Sequence, residues 1–94
     1  MDFSGKKVWI TGAASGIGRA VALEFAGRGA VLIISDRDRE GLQRTAADCE
    51  KTGAEVLQAP FDLGNQEDIL ASVAKVHKVY PKIDILISNG GISQ

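Results

Sequence analysis

A chain of 94 residues, 45% of them hydrophobic and 24% charged, is the size of one domain and has the make-up of a folded soluble protein. Its 11 basic and 12 acidic residues leave a net charge of −1, which gives no reason to expect nucleic acid or an anionic membrane as partner. No apolar run nears the roughly 20 residues that span a bilayer, and Met1 leads into Asp2 and a polar stretch, so no secretory leader is expected either.

The first element is a strand over residues 7–11, ending in apolar and β-branched side chains. A glycine-rich turn, "TGAASGIG", follows it. The next segment, 16–28, has Ile17, Val21 and Phe25 four apart and is expected to be a helix with that stripe inward. Gly27 and Gly29 stop it. Residues 30–35, "AVLIIS", form a second strand, apolar without alternation, as in a parallel sheet covered on both faces.

A second helix spans 38–51, with Leu42, Ala46 and Cys49 inward and Gly53 beyond its end. Cys49 is expected to act as a small buried hydrophobe. A lone cysteine cannot form an internal disulfide, so a reducing compartment, most simply the cytoplasm, is expected. A third strand runs over 55–61, with Pro60 marking its end. Asn65 can cap a third helix, with Asp68 three residues on and Ile69, Val73, Val76 and Tyr80 on one stripe. Pro81 ends that helix. Residues 83–88, "IDILIS", are the fourth strand.

The order β-α-β-α-β-α-β with short connections predicts an α/β fold of the Rossmann type. Its doubly wound parallel sheet should have four strands in the order 3-2-1-4. Two helices should cover one face and one helix the other. No linker or repeat divides residues 1–94, so one domain is expected.

In such a fold the first strand-to-helix turn bends sharply, and Gly12 can supply the bend. Gly16 leaves room where a diphosphate approaches the backbone, and Gly18 lets the helix pack close to the strand. The helix start then offers free N–H groups and a partial positive charge. The spacing is neither G-x-G-x-x-G nor a Walker A loop, since Arg19 follows the last glycine. The same glycines would serve a tight turn that binds nothing. Asp36, 18 residues after Gly18, adds a second signal, because a carboxylate there can accept from both hydroxyls of an adenosine ribose. An aspartate in that position can also be a helix N-cap.

"TGAASGIG", "FDL" at 61–63 and "SNGGIS" at 88–93 resemble, in this order, motifs of the short-chain dehydrogenase/reductase family, and the resemblance covers the whole chain. It implies that Gly12, Ser15, Gly16, Ile17 and Gly18 surround a diphosphate and its ribose, with Thr11 bracing the loop through its hydroxyl. It implies that Asp36 holds the adenosine ribose, and that Asp62 and the Leu63 backbone meet the adenine amine. Asp62 is also a common turn residue. Asn89 and the backbone of Gly90 would lie beside the ribose, although Gly90 stands where that family usually has alanine.

The family's chemistry uses a serine and a Tyr-x-x-x-Lys pair. The single tyrosine, Tyr80, is followed four residues on by Asp84, so no catalytic residue is assigned, and none is assigned to a metal. Tyr80 is expected to be a packing residue and His77 a solvated or half-buried helix residue. The resemblance thus implies the NAD(P)-binding portion of an oxidoreductase that moves hydride between a nicotinamide cofactor and an alcohol or carbonyl substrate, incomplete at its C-terminus. Such a longer protein is expected to form homo-oligomers. The alternative is a non-catalytic module for dinucleotide or protein binding. NAD is favoured by Asp36, which would repel a 2′-phosphate, whereas Arg37 could pair with one and favours NADP. The fixed position of Asp36 at a strand end decides for NAD.

Overall fold

In the computed structural model, residues 2–89 are described. The elements are β1 (Lys7–Thr11), α1 (Gly16–Ala26), β2 (Val31–Ser35), α2 (Arg39–Glu50), β3 (Val56–Gln58), α3 (Gln66–Val79) and β4 (Ile85–Ser88). All strand pairs are parallel, and the order is β3-β2-β1-β4. Trp9 pairs with Ile33 on one side and Leu86 on the other. β1 is therefore central and carries its C-terminal end, Thr11, to the middle of one sheet edge.

Strand alternation divides the core in two. Val8, Ile10, Leu32 and Ile34 face α1 and α2, where they meet Ala22, Ala26, Leu42, Ala46 and Cys49. Ile33 faces α3 and meets Val76, with Trp9, Leu57 and Tyr80 around them. The expected distribution of two helices on one face and one on the other is thus observed. The Trp9 indole N–H donates to Ser35 Oγ at 2.8 Å, which satisfies a buried hydroxyl.

The helix faces differ from expectation in instructive ways. The inward face of α1 is Gly18, Ala22 and Ala26, not the Ile17 stripe. Val21 and Phe25 pack at its flanks, and Ile17 is 73% exposed. Small residues bring the helix axis close to the sheet, so the larger side chains are displaced sideways. On α3, Ser72 and Val76 are buried, while Val73 is 46% exposed. Ser72 Oγ donates to Pro60 O at 3.0 Å, a polar tie that hydrophobic periodicity does not reveal. β3 is shorter than expected. Ala59 N–H still donates to Ile34 O at 2.9 Å, but Pro60 has no N–H to continue the ladder.

Cys49 is fully buried, as expected, and burial is the main cause that pushes its thiol up to about 11. Little thiolate exists at neutral pH, and the thiolate is the reactive form. Iodoacetamide should therefore label the native protein slowly, and labelling in urea should rise in step with the loss of helical circular dichroism. Labelling of the native protein at the rate of a free thiol would contradict this.

Two carboxylates fasten the edges. Asp84 Oδ2 accepts from Lys7 N–H at 2.9 Å, while Asp84 N–H donates to Lys7 O at 2.9 Å, which locks β4 to the start of β1. Asp48 pairs with Arg19 across α1 and α2 and with Lys51 on its own helix. The Lys7 N–H bond lowers the Asp84 carboxyl, helped by the charges of Lys6, Lys82 and Lys7 against partial desolvation. The Arg19 and then the Lys51 hydrogen bond lower that of Asp48. A depressed folded value means the unfolded chain takes up protons first, so this stability is full above about pH 4 and fades as pH falls through the folded value. The stability gap between the unsubstituted protein and Asp84→Asn should accordingly shrink below about pH 4 in urea titrations. A gap that stays constant from neutral pH into acid would refute the sign.

Candidate functional site

The ends of β1, β2 and β4 meet at one rim. Thr11 closes β1, and Gly12 turns the chain with φ 66°. Gly16 opens α1 at φ 58°, a left-handed conformation that favours glycine. Nothing lies within 4 Å of where a Cβ at Gly16 would stand. Gly18 is the reverse case. A Cβ there would drive into the Gly12 carbonyl and come within 2.7 Å of Asn89 Nδ2. One glycine keeps space open outside the turn, and the other lets the turn sit directly on the helix.

Ser15 is the N-cap of α1, yet its side chain makes no capping bond, and the first turn holds no acidic residue. The other helices are built differently. Asp38 Oδ1 caps α2 at Gly41 N–H, with Glu40 in the first turn, and Asn65 caps α3 at Asp68 N–H, with Glu67 and Asp68 in the first turn. Side chains thus compensate the positive poles of α2 and α3, and leave that of α1 to its surroundings. Ser15, Gly16 and Ile17 are all exposed around it. A diphosphate suits this place, since it brings negative charge and acceptor oxygens to a helix start with open backbone.

Asp36 stands at the end of β2, half-buried. It does not cap α2, as Asp38 does that. Its Oδ2 accepts from Ala14 N–H at 3.0 Å and its Oδ1 from Asp38 N–H at 3.0 Å. Arg37 is exposed. Beyond it lies an open cavity of about 450 Å³, lined by Arg37, Asp38, Arg39, Phe61, Asp62 and Asp68. Asp62 shapes the β3–α3 turn, with Oδ1 accepting from Gly64 N–H at 2.9 Å and its own N–H donating to Asp68 Oδ2 at 3.0 Å. Leu63 beside it is 50% exposed.

At the β4 end, Asn89 N–H donates to Thr11 Oγ1 at 3.0 Å, and Asn89 Nδ2 donates to Gly12 O at 3.4 Å. Two side chains therefore brace the glycine turn against β4. Gly90 lies outside the described residues. The rim gathers Thr11, Gly12, Ser15, Gly16, Ile17, Gly18, Asp36 and Asn89, with Arg37, Asp62 and Leu63 along its cavity side.

Three features escaped sequence reasoning. Gly41 is buried in the first turn of α2, where an added Cβ would lie 3.0 Å from the Ala14 Cβ. A glycine inside a helical segment is the signal that could have found it. Arg19 reaches across to Thr45 Oγ1 at 3.3 Å and to Asp48. Phe61 forms an apolar wall of the cavity. Tyr80 lies at the end of α3, its hydroxyl bonded to Glu55. Desolvation and the Glu55 carboxylate push it up to about 12, so it stays a protonated phenol at neutral pH. His77 is an exposed residue of α3.

The family model described as short chain dehydrogenase matches residues 6–94. Estradiol 17-beta-dehydrogenase 11 of Homo sapiens is 42% identical over 89 residues, which cover 95% of this chain and 30% of that protein. L-Sorbose reductase from Gluconobacter frateurii, solved with NADPH and L-sorbose, superposes with a TM-score of 0.91 at 36% identity, over 100% of this chain and 36% of that one. NAD+-bound xylitol dehydrogenase superposes with a TM-score of 0.91 at 33% identity, over 98% of this chain and 35% of that one. The chain thus spans 30% to 36% of the length of these relatives. Its glycine turn, sheet order and match over residues 6–94 agree: the chain belongs to the short chain dehydrogenase family.

Proposed function

We propose that this chain is the cofactor-binding portion of a nicotinamide-dependent oxidoreductase acting on an alcohol or carbonyl substrate. The observation that carries the reading is the start of α1, open, uncapped and without acidic residues, behind a turn whose Gly16 leaves its outer side clear. When bound, the nicotinamide ring takes or gives the hydride. The chain's own task is to hold and orient the dinucleotide. Gly12, Ser15, Gly16, Ile17 and Gly18 take the diphosphate and adjacent ribose. Asp36 takes the adenosine ribose, and Asp62 with the Leu63 backbone takes the adenine amine. Thr11 and Asn89 keep the turn in place, and Gly90 adds backbone beside the ribose.

NAD(H) is the preferred cofactor, with NADP(H) second. Asp36 is held by two N–H donors, whereas Arg37 is exposed. A 2′-phosphate about 4 Å from the Asp36 carboxylate would be repelled by about 1 kcal/mol in water and about 4 kcal/mol at an effective dielectric near 20. Arg39, also at the cavity, adds to the pull of Arg37 toward a phosphate but is equally exposed. Titration of intrinsic Trp9 fluorescence should give tighter binding of NADH than of NADPH. Tighter NADPH binding would overturn the choice, and binding of neither would overturn the whole reading.

The 94 residues form one dinucleotide-binding unit of a longer enzyme and bind without turnover. Tyr80, bonded to Glu55, cannot stand in for the family's proton donor. Assays with NADH and a panel of ketones and aldehydes should show no oxidation above that of a Gly18→Ala control. The longer enzyme is a homo-oligomer of the cytoplasm, without nucleic acid or membrane partners. The balanced charge of these residues bears on the nucleic-acid and membrane part of this reading, and the buried free thiol on a reducing compartment. No helix among the described residues is long and apolar enough to cross a membrane.

A further inference from the structure

The geometry points to a second task for Asp36: it is a positioning residue for the glycine turn, and not only an acceptor for ribose. This rests on the dinucleotide reading above. The turn between Gly12 and Ser15 has two ties to the β2 end. Ala13 N–H donates to Ser35 O at 3.1 Å, and Ala14 N–H donates to Asp36 Oδ2 at 3.0 Å. The second tie uses a side chain from 22 positions away, and Ala14 is itself buried. A buried amide without a partner is strongly disfavoured, so the Asp36 carboxylate decides whether this turn conformation is held.

The junction is closed from behind. Asp36 Oδ1 accepts from Asp38 N–H at 3.0 Å, which fixes the carboxylate's orientation. Asp38 caps α2 at Gly41 N–H, and Gly41 lacks the Cβ that would press on Ala14. A carboxylate oxygen has two acceptor directions, so each Asp36 oxygen keeps one free for a ribose hydroxyl. One side chain therefore couples the diphosphate turn to the ribose site. Removing it should disorder the turn before any cofactor arrives.

The coupling makes an unusual expectation. If Asp36 only received ribose and repelled a 2′-phosphate, Asp36→Ala would weaken NADH and strengthen NADPH. If it also holds the turn, Asp36→Ala weakens both. Asp36→Asn separates the effects, since it removes the charge but keeps one acceptor oxygen. That oxygen should face the buried Ala14 N–H, because the exposed Asp38 N–H can turn to water.

The test is hydrogen exchange at the Ala14 amide in the cofactor-free protein, alongside NADH and NADPH titrations. The Leu32 amide, which donates to Glu55 O at 2.9 Å, reports the sheet. In Asp36→Ala the Ala14 amide should exchange at least about tenfold faster with Leu32 unchanged, and both dinucleotides should bind more weakly. In Asp36→Asn the Ala14 amide should stay within about threefold of the unsubstituted protein, and the preference for NADH should relax. Unchanged Ala14 exchange in Asp36→Ala, or NADPH binding gained equally by both variants, would overturn the positioning role. If Asp36→Ala does not fold, which Leu32 would reveal, Asp36→Val, which also lacks an acceptor and suits a strand end, takes its place, and unchanged Ala14 exchange there overturns the positioning role. Failure of the unsubstituted protein to bind NADH or NADPH would instead strike the dinucleotide reading and leave the exchange result standing.

Discussion

Gly18→Ala should abolish dinucleotide binding while leaving the sheet intact. The added Cβ would overlap the Gly12 carbonyl oxygen, which is backbone and cannot rotate away. It would also displace Asn89 Nδ2, which donates to that same carbonyl. The turn must move off α1, and the diphosphate then loses its shaped contact with the helix start. An affinity loss of more than about 100-fold is expected, which is roughly 2.7 kcal/mol or more. Titration with NADH checks it, and circular dichroism checks that the helices persist. Gly16→Ala makes the useful contrast. Its Cβ meets nothing in the cofactor-free protein, so the cost to the fold is the left-handed backbone, about 1–2 kcal/mol, and any larger loss of NADH affinity comes from the methyl standing on the side left clear for the diphosphate. Equal disturbance of the Gly12 to Ser15 amides in the two cofactor-free variants would show that the two glycines do not differ in the way described.

Ile10→Ala should have the largest effect on stability. Ile10 is fully buried in the central strand, paired with Ile34 and Ile87 and packed under α1 and α2. Truncating such a side chain costs about 2–5 kcal/mol, part in lost transfer energy and part in the cavity left. Whole domains are stable by only about 5–15 kcal/mol, so the urea midpoint should fall sharply. The NADH affinity of the molecules that remain folded should change less than about threefold, because the site is built from the turn and not from this core face. A loss below about 1 kcal/mol would mean that the β1 core is looser than the packing shows.

The fold was legible because its signals are local and repeated. Apolar runs without alternation mark β2 as a covered parallel strand, and strand-helix alternation fixes the crossovers. Asn65 was readable as a cap because its bond to Asp68 N–H spans three residues. Cys49 was readable as core from its register with Leu42 and Ala46. The inward face of α1 was not readable. Hydrophobicity points to Ile17, but close packing selects Gly18, Ala22 and Ala26 instead.

Site details failed for another reason. The Asp36 bond to Ala14 joins residues 22 apart, and the Asn89 bond to Thr11 joins residues 78 apart. Neither spacing leaves a pattern in one sequence. Both exist only because the sheet order brings β2 and β4 to either side of β1. Gly41 shows the same limit in part, since an added Cβ would press on the Ala14 methyl of another segment as well as on the Asp38 cap of its own helix.

The most direct measurement of the central claim is a map of backbone amide shifts during titration with NAD+. Shifts should gather at the turn and the start of α1, from Gly12 to Arg19, at Asp36 and Arg37, at Asp62 and Leu63, and at Asn89. The α3 face around Val76 should stay still. Saturable shifts confined to those positions are the expected result. An absence of saturable shifts, or shifts centred on α3, would contradict a dinucleotide site at the ends of β1, β2 and β4.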